Sequence, residues 1–480
     1  MSSNSNNFDI IIIGAGLSGI GAAHHIQDEF PNKTYAILEA RENLGGTWDL
    51  FKYPGIRSDS DMYTLGYSFK PWKNAKAIAD GPDILNYIQE TAEESGIIEH
   101  IHFNNKIIKA SWDSNEAIWT LETENKSSFS CNFLISCTGY FNYESGFTPH
   151  FEGREKFKGE IIHPQHWDTS LNYEDKKIVV IGSGATAVTL VPELAKKASH
   201  VTMLQRSPSY ILTMPSKDIV ANTFRKILPS KMAYWLTRWK NISMSVFFYN
   251  ACMRWPQLLK KILMKGVKKE LGNSVDVETH FNPKYNPWKQ RLCLVPDSNL
   301  FSALQEDHVD IVTDHIDHFT ETGIKLNSGN ELETDIIITA TGLNILILGG
   351  IEAWIDGKKI NPSNLICYRG MMFDKIPNFV VVVGYTNASW TLKCDLTSKY
   401  ICRLIKHMDN TGSNICYAEP IEKMELEPLL DFDAGYVLRS LNEIPKQGSK
   451  YPWKLYMNYF YDMFNFKYSS LNDKNLKFKK

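Results

Sequence analysis

The chain has 480 residues, room for about three domain-sized units. Hydrophobic residues make up 43% and charged residues 22%, a globular balance that excludes a disordered or fibrous chain. A net charge of -2 leaves no overall case for nucleic-acid binding, and the apolar run Ile10–Ile13, with no basic stretch before it, is too short for a signal peptide or a membrane span.

The first unit reads DIIIIGAGLSGIGAAHHIQDE from Asp9, then TYAILEARE. A β-branched run feeds Gly14, Gly16 and Gly19, an apolar helical segment follows, and a second strand ends at Glu39. Gly14 permits a tight turn, Gly16 lets the backbone approach a pyrophosphate, and Gly19 lets the helix pack closely on the strand. Glu39, twenty residues beyond Gly19, is placed to accept hydrogen bonds from ribose hydroxyls; the competing reading is a solvated Glu at a strand end. Further buried strands are expected at FLISCTG (133–139), DIIITATG (335–342) and PNFVVVVGYT (377–386), each stopping near a Gly at its carboxyl end.

The same plan recurs at KKIVVIGSGATAVTLVPELAKK, with Gly182, Gly184 and Ala187 in the turn. Nineteen residues beyond Ala187 stands Arg206, followed by Ser207, with no carboxylate nearby. A guanidinium there can hold a 2′-phosphate that a carboxylate would repel, so NADPH is expected over NADH; the competing reading is a solvated Arg at a strand end. An adenine dinucleotide with an acidic ribose contact and an NADPH together suggest hydride transfer from NADPH to FAD. Eight Cys with no C-x-x-C and no Cys/His cluster at zinc spacing argue against a disulfide reductase and a structural metal, and fit reduced thiols in a cytosolic setting. Oxygen is then the expected electron acceptor.

Between the two units lies FKGEIIHPQHWD, Phe157 to Asp168, too rich in aromatic and His residues for a solvated linker. His163 and His166 in it could be metal ligands, but no third ligand is near and the Pro breaks a helical face. Residues 219–269 carry eleven Lys or Arg, no Asp or Glu, and many aromatics, with breaks expected at Pro229 and Pro256. They read as helices covering an active site, as a basic amphipathic surface for peripheral membrane contact, or as both. The C-terminal LNDKNLKFKK is expected to be a mobile tail.

FKGEIIHPQHWD matches the F-x-G-x-x-x-H-x-x-x-W-[PD] fingerprint of Baeyer-Villiger monooxygenases at Phe157, Gly159, His163, Trp167 and Asp168. The chain resembles that class B flavoprotein family over nearly its whole length, through LGGTWDLFKYPGIRSDSDMYTLGYSF, VVIGSGATAV, LQRSP, KQRLCLVP and VGYTNASWTLK. The resemblance implies an α/β fold of two Rossmann-like dinucleotide-binding domains, the second inserted in the first, plus a helical insertion. The FAD domain is expected at 1–145 and 343–480, the NADPH domain at 146–215 and 286–342, and the basic helices at 216–285.

It also implies roles. His163 couples cofactor binding to domain movement at a hinge. Arg291 holds negative charge on activated oxygen, with NADPH phosphate binding or a packed salt bridge as the alternative, and Asp59 orients that Arg. Gly46, Thr47 and Trp48 line the FAD site, while Asn387, Ser389 and Trp390 line the substrate pocket. Local pairing of Asp59 or Asp61 with Arg57 is the alternative for GIRSDSD. Many members have Lys directly before the Arg, whereas here Gln290 stands there and Lys289 is one place earlier, so NADPH preference is expected to lean on Arg206, alone or with Lys289, and to be weaker than usual. The implied reaction inserts one atom of O2 into a small apolar ketone, with sulfur oxidation of thioamides or sulfides beside it. The rivals are a flavin-containing monooxygenase acting on amines or sulfides, and an NADPH-dependent reductase or redox-responsive binding protein. Oligomeric state is not readable.

Overall fold

The computed structural model describes residues 6–290, 292–430 and 433–480. Strand β1 (Asn7–Ile13) leads into helix α1 (Leu17–Glu29) and returns as β2 (Tyr35–Leu38), which pairs with β1 in parallel, Ile10 opposite Tyr35. β3 (Ser128–Ser136) lies on the other side of β1, again parallel. Both faces of these strands are covered, which is why they are near-continuous Ile, Leu and Phe. The first half of β3 also pairs antiparallel with Ile118–Thr123.

The chain leaves this sheet through β4 (Phe141–Gly146) and builds a second one. Its strands are β5 (Glu160–Ile162), β6 (Lys177–Ile181), then, after helix α2 (Ala185–Leu194), β7 (His200–Gln205). Next come the insertion helices α3 (Ile219–Ile227), α4 (Ser230–Arg254) and α5 (Pro256–Leu271). β8 (Cys293–Pro296) pairs with Ile211–Met214 outside the sheet, and β9 (Val309–Thr313) and β10 (Ile336–Thr339) complete it. The order β9–β7–β6–β10–β5 is parallel throughout.

β11 (Leu343–Ile345) brings the chain back, β12 (Phe379–Val381) joins the first sheet beside the second half of β3, and helix α6 (Trp390–Thr411) packs on α1. The second sheet is thus inserted in the chain between parts of the first, as the class implies. Pro229 immediately precedes α4 and Pro256 opens α5, where a missing N–H is harmless. α3 and α4 bury Ala221, Tyr234 and Ile242 in the first core, whereas α5 buries Val267 and Leu271 in the second. Arg238 of α4, itself buried, donates to the Tyr63 and Gly66 carbonyls at 2.7 and 2.8 Å. Among the described residues no helix is long and apolar enough to cross a membrane.

The C-terminal segment is not a loose tail. Leu476–Lys479 forms a strand antiparallel to Ile415–Ala418, with Leu476 buried and the Phe478 ring edge-on to His407. Its alternation of apolar and Lys residues is that of a half-buried strand.

β4 and β11 pair antiparallel, Leu343 opposite Gly146 and Ile345 opposite Phe141. The segment 157–168 is seated on this ribbon. His163 Nδ1 accepts from Gln165 N–H at 3.2 Å, so Nε2 carries the proton and donates to the Gly342 carbonyl at 3.1 Å. A Cβ on Gly146 would lie 2.0 Å from His163 Cε1, so the imidazole occupies that glycine's missing side chain. Gln165 donates to Asn142 O, and His166 bonds to Glu144 O. Phe157 is buried in the second sheet's other face, and a Cβ on Gly159 would lie 2.2 Å from Asp335 O. Trp167 is edge-on to Tyr173, and Asp168 accepts from the Ser170 N–H and hydroxyl.

Burial lowers the His163 pKa below its usual range, with the Gly342 carbonyl acting the other way. Protonation would set Nδ1–H against the Gln165 N–H. In the unfolded chain the ring titrates at about 6.5, so the unfolded state takes up the proton first and stability is lost as pH falls through that value. The stability margin of the protein over His163→Ala, read from urea midpoints, is therefore full above about pH 7 and shrinks on acidification; a margin that grew toward acid pH would contradict the neutral tautomer.

Candidate active site

Gly14 has φ +100°, and a Cβ there would lie 2.7 Å from Cys137 O. α1 begins at Gly16 with no capping side chain and no acidic residue in its first turn, so its free N–H groups and dipole face outward for an anion. A Cβ on Gly19 would lie 1.8 Å from Gly14 O, which fixes how closely helix and turn approach. Glu39 at the end of β2 is 6% exposed; Oε2 accepts from Ala15 N at 2.6 Å and Oε1 from Arg41 N at 2.9 Å. Burial raises its pKa, opposed by those two N–H groups and by Arg41. Each oxygen keeps a lone pair for a ribose hydroxyl.

The second turn repeats the device. Gly182 has φ +142°, with Ala340 O 2.4 Å from where a Cβ would be, and α2 starts at Gly184 without a capping side chain or an acidic residue. Ala187 is fully buried in the place of the third glycine. Ser183 donates to Ser207 O at 3.1 Å and lies 2.9 Å from the Ser209 hydroxyl, pinning the loop after β7. Arg206 and Ser207 are exposed on that loop.

Two cavities meet at the first turn. One, about 320 Å³, is lined by Glu39, Arg41, Asn105 and Thr138. The other, about 310 Å³, is lined by Trp48, Asp59, Tyr385 and Trp390 from the first unit and by Ala185 and Thr186 from the start of α2. They share Gly16, Gly46, Cys137, Phe141 and Tyr143. At their junction a Cβ on Gly46 would lie 3.2 Å from Gly16 Cα, and Thr47 bonds to the Tyr143 hydroxyl at 3.0 Å. An extended dinucleotide fits this arrangement: ribose at Glu39, pyrophosphate over the open start of α1, and a ring system in the second cavity.

Arg57 was not singled out by the sequence as a site residue, yet it lines that second cavity. It donates through Nη1 to the Thr189 hydroxyl of α2 and through Nη2 to Leu294 O of β8 at 3.1 Å. Burial lowers its pKa. It does not pair with Asp61, which caps the short helix Met62–Leu65 and accepts from Asn241 of α4 at 2.8 Å. The GIRSDSD motif was the available signal; partners 132 and 237 residues away were not.

Of the expected substrate residues, Trp390 lines the cavity, stacked on Tyr140 at 5.3 Å with its Nε1–H on the Ser18 hydroxyl. Ser389 is turned inward, 2.6 Å from the Thr64 hydroxyl, and Asn387 donates to Met457 O. Neither is among the lining residues. Arg291 lies outside the described residues. No group of His, Cys, Asp or Glu suited to a metal ion occurs among the described residues.

A family model described as flavin-binding monooxygenase-like matches residues 8–427. The FAD-containing monooxygenase EthA of Mycobacterium tuberculosis is 51% identical over 481 residues, covering 99% of this chain and 98% of its own. EthA of Mycolicibacterium smegmatis is 48% identical over the same span, with 99% and 98% covered. Among solved structures, an oxidized steroid monooxygenase bound to NADP superposes with a TM-score of 0.78 at 21% identity, covering 99% of this chain and 100% of that one. At that identity the likeness speaks for the fold. With a family model spanning most of its length and full-length relatives at about half identity, the chain belongs to the flavin-binding monooxygenase-like family.

Proposed function

We propose that the protein is a Baeyer-Villiger monooxygenase that takes electrons from NADPH through FAD and inserts one atom of O2 into small apolar ketones, giving esters or lactones, with sulfur oxidation of thioamides or sulfides as a second activity. The observation that carries this reading is the cavity of about 310 Å³ lined both by Gly16 of the first turn and by Ala185 and Thr186 of the second. Two nucleotides exchanging hydride must share one space.

FAD, once bound and reduced, supplies the activation of dioxygen. The chain supplies the rest. Glu39 takes the ribose, the open start of α1 the pyrophosphate, and Arg206 the 2′-phosphate of NADPH. Leu65, Tyr385 and Trp390 wall the cavity and keep water from the reacting oxygen. Arg291 we assign, on its match to the family motif, to the negative charge that develops on oxygen; a guanidinium keeps its charge on burial where a lysine would lose it. Asp59 orients that charge. Arg57 ties α2 to the Leu294 carbonyl, three residues after Arg291, and so positions the strand that follows it.

A disulfide reductase needs a reactive thiolate beside the flavin. The cysteine lining the cavity is Cys137, whose thiol burial pushes well above its usual range, so it stays protonated. A flavin-containing monooxygenase acting on amines lacks a reason for the Trp167–Asp168 ending. All eight cysteines are buried and free, which supports a reducing compartment.

The direct experiment is oxygen uptake with NADPH, with and without a ketone, followed by mass spectrometry of the product. Ester formation matched to NADPH consumption is expected; hydrogen peroxide release with no ester from any ketone or sulfoxide from any sulfide would sink the reading. Arg206→Glu should raise the KM for NADPH by roughly a hundredfold and leave that for NADH within a few-fold. Arg57→Lys, which removes the two-pronged grip, should lower kcat about tenfold with little change in the KM for NADPH.

A further inference from the structure

The helical insertion presents a surface that the active site does not use and that is basic and apolar at once. Between residues 219 and 269 there are eleven Lys or Arg and no Asp or Glu. Part of this charge is engaged: Arg238 and Arg225 donate to backbone carbonyls, Lys260 to Pro283 O, and Lys240 and Lys268 pair with Asp218 and Glu278. Lys226, Lys231, Arg254, Lys261, Lys265 and Lys269 are exposed, and none enters an ion pair among the described residues.

Large apolar side chains stand among these cations. On α3, Ile219 is 76% and Ile227 70% exposed. Around the corner between α4 and α5, Phe247 is 71% exposed, and Met253, Trp255, Leu258 and Ile262 are each about half exposed. Leu258 and Ile262, four residues apart, share one stripe of α5, flanked by Lys261 and Lys265, and Trp255 stands just before the helix. The opposite stripe, Leu263, Val267 and Leu271, is the buried one. α5 is therefore apolar toward its core and mixed on its outer face, where Leu258 and Ile262 stand among Lys261, Lys265, Lys268 and Lys269.

A nucleic acid would complement the cations and leave Trp255, Leu258 and Ile262 in water. A bilayer with anionic headgroups satisfies both, because basic side chains meet lipid phosphates while Trp and aliphatic residues enter the boundary below them. No described helix is long and apolar enough to cross, so the contact is one of lying on the surface. We propose that α3 and the α4–α5 corner dock the protein on an anionic bilayer, with Trp255, Leu258 and Ile262 in the headgroup boundary and Arg254, Lys261 and Lys265 on the phosphates.

The test is co-sedimentation of the full-length, flavin-loaded protein with phosphatidylcholine vesicles, with and without phosphatidylglycerol. Binding is expected to require phosphatidylglycerol and to weaken with salt. Reversing three charges together, Arg254→Glu, Lys261→Glu and Lys265→Glu, should lower the partition coefficient by about a hundredfold or more. The pair Trp255→Ser and Leu258→Ser should lower it while keeping the salt dependence. Wild-type flavin content and NADPH oxidation in both variants establish that they are folded. Equal partition to both vesicle types, or undiminished binding by the charge-reversed variant, overturns the proposal, as does binding to heparin or RNA without binding to vesicles.

Discussion

Two helix N-termini that no side chain caps are the constraint around which this molecule is arranged. α1 and α2 each begin at a glycine, with no Ser, Thr, Asp or Asn turned back on the first N–H groups and no acid in the first turn. Left alone, each start is a cluster of unsatisfied donors and positive dipole. A bound diphosphate satisfies both. Every neighbouring feature follows from leaving that place open: glycines with positive φ that bring the turn under the ligand, and parallel strands that deliver both turns to the same side.

Placing the two starts against one cavity requires two sheets with separate cores and a connection that does not fill the space between them. The β4–β11 ribbon does this with two short strands. The fingerprint segment earns its composition there. His163 fills the gap over Gly146 and ties to Gly342, while Phe157 anchors one end of the segment on one face of the second sheet and Trp167 the other end on the opposite face. Arg57 makes a second tie, from the first unit to α2 and β8. Arg57, with Phe141 and Leu343 of the ribbon, thus lines the cavity and joins the two units at once.

The fold was legible because its signals are local. Buried parallel strands are short runs of Ile, Val and Leu, and the turns that follow them are glycines at fixed spacing. The candidate site was legible as a set of residues and much less as an arrangement. Glu39 and Arg206 could be counted off from the glycines, since a strand of set length separates them. Arg57 could not be placed, because its partners belong to α2 and β8. Ser389 looked like its neighbour Trp390 in sequence, yet its hydroxyl is turned toward Thr64; one residue of phase at a helix start decides which side chain faces the cavity. The last strand was hidden by its charge, its Lys residues masking a Leu and a Phe that pack inward.

The insertion passes from one core to the other at Trp255, the single residue between α4 and α5. The insertion therefore bears on both cores through two helices that meet at a single residue. That elbow also leaves Trp255, Met253 and Leu258 exposed together. A partner seated at that corner would therefore rest on the one residue that separates the helix packed on the first core from the helix packed on the second.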